Sequence, residues 1–246
     1  MEGNVTVSEG ARVLMLMDVP LIGETIKLTL NHGVYVTRET TRPEAAIAMI
    51  DTWRPHLAVI DMDIADEQLM NRLASVGPDT GIRTAILALT RRGDLATKLA
   101  AFEHGVDDIM TVPFSPEELL ARVTAIMRRT YGDPVPIEPV LRLGEIEIDI
   151  LHRSVRAGTS ELHLSGLEQS LLYLFAANSG KLVSRDQILD ALWGIDYVAE
   201  SNVVDRHVRN LRVKLQNDWR KPRFIETVPG KGYRFLPTFS ESQSQS

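Results

Sequence analysis

The sequence predicts two units in tandem: a doubly wound α/β unit built on a five-stranded parallel sheet, then a smaller α+β unit that ends in a helix and a hairpin. Three observations carry this prediction. Five short apolar runs alternate with five stretches of helical period up to residue 129, the pattern of a parallel sheet covered by helices on both faces. Prolines at 134, 136 and 139 then fall within 130–140, where they oppose both helix and sheet pairing and read as a semi-rigid linker. Beyond them, short alternating runs give way to three helical stretches and a glycine-tipped turn, the order of a winged variant of helix-turn-helix.

Residues 1–10 are polar and unpatterned. The first apolar run, Val13–Met17, is followed by Asp18 and a helical stretch near 20–31. Val34–Val36 and a stretch near 43–53 come next, then Leu57–Ile60, closed by Asp61, and a stretch near 66–75. Ala85–Leu89 precedes helical period near 94–104, and Ile109–Val112 precedes the stretch 116–129. That last helix opens on Ser115-Pro116-Glu117-Glu118: a capping serine, a proline in the first turn and acids at the positive end of the helix dipole. In the second unit, strands are expected at Leu141–Leu143, Glu145–Ile150, Ser154–Arg156 and Glu161–Leu164, and helices near 166–178, 185–193 and 200–217. Phe224–Val228 and Tyr233–Leu236 flank Pro229-Gly230-Lys231-Gly232 as the closing hairpin. The domains are thus expected at 11–129 and 141–237, each of ordinary domain size, with a disordered tail at 238–246.

Composition excludes several classes. There is no cysteine, hence no disulfide framework or thiolate zinc site, and the six histidines form no H-E-x-x-H pattern. Val13–Met17 is too short for a signal or membrane segment, so a cytoplasmic location and no membrane partner are expected. The net charge of −6 over 246 residues argues on average against a nucleic-acid partner, but the average conceals a division. Residues 1–129 hold 13 bases and 18 acids, whereas 206–234 hold nine bases and two acids, a local excess of +7. An excess of that size is the footprint of a phosphate-backbone binder.

Val204, Val208, Leu211 and Leu215 form one apolar stripe on the last helix. The stripe turns Arg206, Arg209, Asn210 and Arg212 outward on a rod that fits a major groove, where arginine reads guanine and asparagine reads adenine. Lys231 and Arg234 in the hairpin are placed for phosphates or a minor groove. In the first unit, Asp18 and Asp61 lie at the carboxyl edge of the sheet, where such folds bind ligands. Asp18, Asp61 and Asp63 suit one Mg2+ held by carboxylates and water, and a carboxylate there is also a nucleophile toward phosphoryl groups. Strand-end aspartates also cap loops, and spacing alone does not choose between these roles.

Over Ala11 to about Pro237 the chain resembles the OmpR/PhoB-type two-component response regulators, a flavodoxin-like receiver followed by a winged-helix DNA-binding domain. The second-unit motifs are His163-Leu164-Ser165 through Glu168, Leu182-Val183-Ser184-Arg185, Trp193-Gly194, the run Val204-Asp205-Arg206-His207-Val208-Arg209-Asn210-Leu211-Arg212, and Gly230-Lys231-Gly232-Tyr233-Arg234-Phe235. The receiver match runs through Gly105-Val106, Asp107-Asp108 and Pro113-Phe114-Ser115-Pro116-Glu117-Glu118-Leu119. The resemblance implies a recognition helix at 201–217, a wing around Gly230, and DNA contacts from Arg206, His207, Arg209, Asn210, Arg212, Lys214, Lys231 and Arg234. It also implies phosphorylation at Asp61, a switch hydroxyl at Thr90 and a switch position at Ile109. The implied partners are double-stranded DNA, RNA polymerase, a sensor histidine kinase and a second copy of the chain.

The receiver also departs from the family. Met17 replaces one acid of the pair ending in Asp18, Val112 stands where the family places a lysine, and Ile109 replaces an aromatic residue. A lysine ammonium gives a phosphoryl oxygen a charge-assisted contact of about 1.5–3 kcal/mol, and valine offers nothing in its place. The positions implied for the dimer face, in contrast, keep their charges: Lys98, Asp108, Glu118, Arg122 and Arg129. The expectation is a dimeric transcription regulator with an atypical receiver, switched on at least partly without phosphate, with Mg2+ doubtful and no catalysis beyond slow loss of its own phosphate. The alternatives are a conventional phospho-switch through Asp61, or a receiver that senses a small ligand or partner protein.

Overall fold

The computed structural model describes residues 10–30, 35–75, 83–91, 99, 101–132, 140–149, 152, 154–194, 197, 202–216, 218 and 220–236. These form two compact units, the first holding the parallel sheet and the second the elements from residue 140 onward.

The first unit runs β1 (Ala11–Leu16), α1 (Pro20–Leu30), β2 (Tyr35–Thr40), α2 (Pro43–Trp53), β3 (Leu57–Asp61), α3 (Glu67–Ala74), β4 (Ala85–Thr90), β5 (Asp108–Thr111) and α4 (Pro116–Tyr131). The strands are parallel in the order β2-β1-β3-β4-β5. Successive residues of β1 feed opposite faces: Val13 and Met15 join Ile22 and Ile26 of α1 and Leu119 and Val123 of α4. Leu14 and Leu16 meet Ile50 of α2 and Leu69 and Leu73 of α3. Because both faces are covered, β1, β3 and β4 read as unbroken apolar runs, and each such side chain stabilises by about 1.5–3 kcal/mol when buried. β2 is an edge strand, with Tyr35 buried and Val36 50% exposed. Its outer half is polar for that reason, and the strand runs on to Thr40 where the apolar pattern alone ended it at Val36. Most of the helix expected near 94–104 lies outside the described residues; 101–103 are helical.

The second unit opens with an antiparallel sheet, β6 (Val140–Leu143), β7 (Ile146–Asp149), β8 (Ser154–Ala157) and β9 (Ser160–Leu162). Three helices follow: α5 (Gly166–Ala177), α6 (Arg185–Trp193) and α7 (Val203–Lys214). Capping boxes start α5 (Ser165 with Glu168) and α6 (Ser184 with Gln187), each satisfying two backbone donors that a helix start leaves open. The closing hairpin is β11 (Ile225–Val228) and β12 (Gly232–Phe235). A further strand absent from the sequence reading, β10 (Leu182–Val183), pairs with β12 and makes the wing three-stranded. Two residues are too few to leave a periodic signal. A Cβ on Gly232, at φ 144°, would lie 2.2 Å from the Val183 carbonyl oxygen, so glycine lets the hairpin close on β10.

Candidate functional site

At the carboxyl edge of the parallel sheet, β3 ends on Asp61 and β4 on Thr90, both almost fully buried. One Asp61 oxygen accepts from the backbone N–H of Asp63 at 3.0 Å. Its other oxygen accepts from Nη2 of Arg91 at 3.0 Å, and the same Nη2 donates to Asp18 at 2.5 Å. Nε of Arg91 lies 3.7 Å from Asp63. The structure therefore does bring the three aspartates together, but around a guanidinium that the sequence reading missed. The signal was local: an arginine directly after the strand-end residue Thr90, on the strand beside Asp61.

Burial pushes the Asp61 carboxyl up, Asp18 and Asp63 add to the rise, and the Asp63 N–H and Arg91 only partly oppose it. Among the described residues no group of three His, Asp or Glu side chains is arranged to hold a metal. One oxygen of Asp18 and one of Asp61 already accept from Arg91, and the second Asp61 oxygen accepts from the Asp63 N–H, so the arrangement present suits a guanidinium and does not fit that ion. The two positions where the resemblance implies polar residues, Met17 and Val112, are apolar in environment as well as identity. Val112 and Met17 are both buried in the core shared with α1 and α4, while Ile109 packs against the opposite core.

On the face implied for dimer contacts, Arg122 donates to Asp108 at 2.7 Å and to Glu118 at 2.8 Å. Arg129 donates to the Asp107 carbonyl at 2.9 Å. These groups are matched within one chain. Lys98 lies outside the described residues.

In the second unit, Val204, Val208, Leu211 and Leu215 are all buried, and Arg206, Arg209 and Asn210 stand exposed on the opposite side of α7. Val213, 71% exposed, belongs to the same outer face, and the sequence reading did not single it out. Lys231 is exposed at the hairpin tip. Four residues expected to reach DNA meet partners within the chain instead. Arg212, expected outward, turns to the hairpin: it donates to the Ile225 carbonyl at 2.9 Å and the Thr227 hydroxyl at 2.8 Å, and its guanidinium lies 5.5 Å from the Tyr233 ring centre. As the neighbour of buried Leu211 and four residues from buried Val208, it lies at the flank of the apolar stripe, and the carbonyl of β11 offers it an acceptor. Lys214 bridges to the Glu168 carboxylate at 2.6 Å and the His163 carbonyl at 2.8 Å. Burial pushes Glu168 up, but the bonds from Lys214 and Ser165 outweigh it and leave the carboxyl below its ordinary value. His207 is half-buried with its ring 5.4 Å from that of Trp193, and burial, then Arg206, lowers its pKa. Arg234 lies 3.4 Å from Glu226, its cross-strand neighbour.

A second network unforeseen in the sequence mounts α7 on the wing. Asp205 accepts from the Tyr233 hydroxyl and from Nε of Arg185 at 2.9 Å. Burial, then Asp205, pushes the Tyr233 hydroxyl up to about 12.

The chain matches two family models: the response regulator receiver domain over residues 13–124, and the C-terminal domain of transcriptional regulatory proteins over 159–235. The transcriptional regulatory protein TrcR of Mycobacterium tuberculosis is 32% identical over 92% of this chain and 87% of its own length. The response regulator MprA of Mycobacterium bovis is 31% identical over 90% and 96%. The phosphate regulon transcriptional regulatory protein PhoB of Klebsiella pneumoniae is 30% identical over 93% and 99%. Among solved structures, the response regulator DrrB, a Thermotoga maritima OmpR/PhoB homolog, aligns over 92% of this chain and 99% of that one at 26% identity and a TM-score of 0.41. With a receiver fold, a winged-helix fold and relatives matched across nearly their whole length, the chain belongs to the OmpR/PhoB-type response regulators, the DNA-binding transcription factors of two-component systems.

Proposed function

We propose that this regulator binds its operator as a dimer formed through the receiver, and that binding does not require a phosphoryl group on Asp61. The observation that carries the reading is Val112: the position where relatives place a phosphate-pairing lysine is an aliphatic side chain sunk in the core. A ligand shifts a conformational equilibrium only by its differential affinity for the two states. The cation beside Asp61 is Arg91, which is tied to the ends of β1 and β3, and Val112 gives the β5–α4 loop none, so a phosphoryl group on Asp61 has little by which to favour one arrangement of that loop. DNA recognition falls to Arg206, Arg209 and Asn210 on the exposed face of α7, with Lys231 on phosphate. Asp108, Glu118, Arg122 and Arg129 contribute to the dimer face, where charges specify register more than they add affinity. RNA polymerase and a sensor kinase are further partners by the same family reading.

The test is a binding titration on an operator obtained by selection from random DNA, with and without a small-molecule phosphodonor. The expected affinity is the same within about twofold in both conditions, where a phospho-switch gives roughly a tenfold or larger gain. Tight binding only after phosphodonor treatment overturns the proposal.

A further inference from the structure

The acidic pocket keeps its own cation, and this has a consequence for metal binding. Arg91 projects from the end of β4 across β3 to β1, so that one nitrogen, Nη2, serves carboxylates from two separate strand ends, Asp18 at 2.5 Å and Asp61 at 3.0 Å. The side chain is 18% exposed and that of Asp61 4%, so the contact is screened from water on the Asp61 side. A buried carboxylate is retained only when paired or hydrogen-bonded, and here Arg91 is the cationic partner. Burial works against the guanidinium, yet the three aspartates together hold it above its ordinary range.

We propose that Arg91 is a resident counter-ion standing in for the divalent cation of other receivers, so that this receiver neither binds nor needs Mg2+. Mg2+ demands near-ideal octahedral oxygen coordination at about 2.0–2.1 Å and sheds water reluctantly. To reach Asp18 and Asp61 it must expel Nη2 from the oxygens it holds, and leave a partly buried guanidinium beside a dication. The guanidinium supplies one positive charge against three carboxylates, so it neutralises less than Mg2+ does, but it is attached and incurs no loss of translational freedom. By tying the residue after Thr90 to the ends of β1 and β3, it also fixes the segment that carries the switch hydroxyl. The inference deepens the phosphate-independent reading above and rests on it for its biological meaning, while its test reads metal and not DNA.

Mn2+ serves as a paramagnetic probe of a Mg2+ site, titrated into the full chain and followed by electron paramagnetic resonance. Wild-type protein is expected to show no saturable binding at millimolar Mn2+, whereas Arg91→Ala and Arg91→Gln each gain one saturable site in that range. Adding Asp61→Asn to either variant should abolish that site. Saturable one-to-one binding by the wild type overturns the proposal whatever the variants do. So does the absence of any new site in variants whose circular dichroism and melting curves show them folded. DNA affinity measured on the same samples fails or holds separately: a phosphodonor that tightens wild-type binding sinks the phosphate-independent reading and leaves the metal result standing.

Discussion

Arg91 and Arg209 carry the same side chain to opposite ends. At the carboxyl edge of the parallel sheet, Arg91 is enclosed by three carboxylates and committed to them. On α7, Arg209 stands exposed beside Asn210 with the apolar side of its helix turned into the core. The formal charge of a region therefore says little about what an approaching polyanion meets. Of the nine bases between 206 and 234, Lys214, Arg223 and Arg234 face Glu168, Glu145 and Glu226, and Arg212 is spent on the hairpin. A cation matched inside the chain sets the shape of the protein, and one left on the surface is available to a partner.

The comparison breaks most readily at Arg209. Arg209→Ala should cost the selected operator about 10–100-fold in affinity, the loss of a good base or phosphate contact of about 1–3 kcal/mol. Unchanged affinity in anisotropy titrations would remove this face of α7 from the interface. Arg212→Ala should act differently. Losing the bonds to Ile225 and Thr227 should lower folding stability by about 1–2 kcal/mol, seen in urea melts, while the slope of log affinity against log salt stays as in the wild type. A slope reduced by about one would return Arg212 to the phosphate contacts.

The smallest effect is expected in the pocket. The Asp61 carboxyl is raised above its unfolded value, first by burial. The unfolded chain therefore releases this proton at a lower pH than the folded one. Its contribution is fully present below the unfolded pKa and is lost as pH rises through the folded pKa. Asp61→Asn, which keeps the neutral shape, should thus melt slightly higher than wild type at neutral pH, and the gap should close as pH falls into the carboxylate range. A variant that melts lower at pH 7 would mean that the charge pairing with Arg91 outweighs the burial.

Much of this was legible in the sequence, for identifiable reasons. The buried strands β1, β3 and β4 announce themselves because both faces are apolar, and α5 and α6 because Ser165 with Glu168 and Ser184 with Gln187 mark their starts. The α7 stripe predicted correctly which four residues are buried. What could not be read is where long cationic side chains end. Arg212 and Lys214 lie beside the stripe, and their acceptors come from Ile225, Thr227, His163 and Glu168, up to 51 residues away. Arg91 lies 73 residues from Asp18, a distance no helical or strand period spans.

The mounting of α7 has a practical side. The residues that fix the helix in place, Asp205, His207, Arg212 and Lys214, are interleaved along the chain with those that face outward, Arg206, Arg209, Asn210 and Val213, yet the two sets share no side of the helix. On the proposed reading, exchanging the outward four as a group should give the protein a different address on DNA, while the others keep the helix at its angle to the wing. Transplanting the whole helix into a relative would carry the anchors along without their receptors, and would be the poorer way to retarget it.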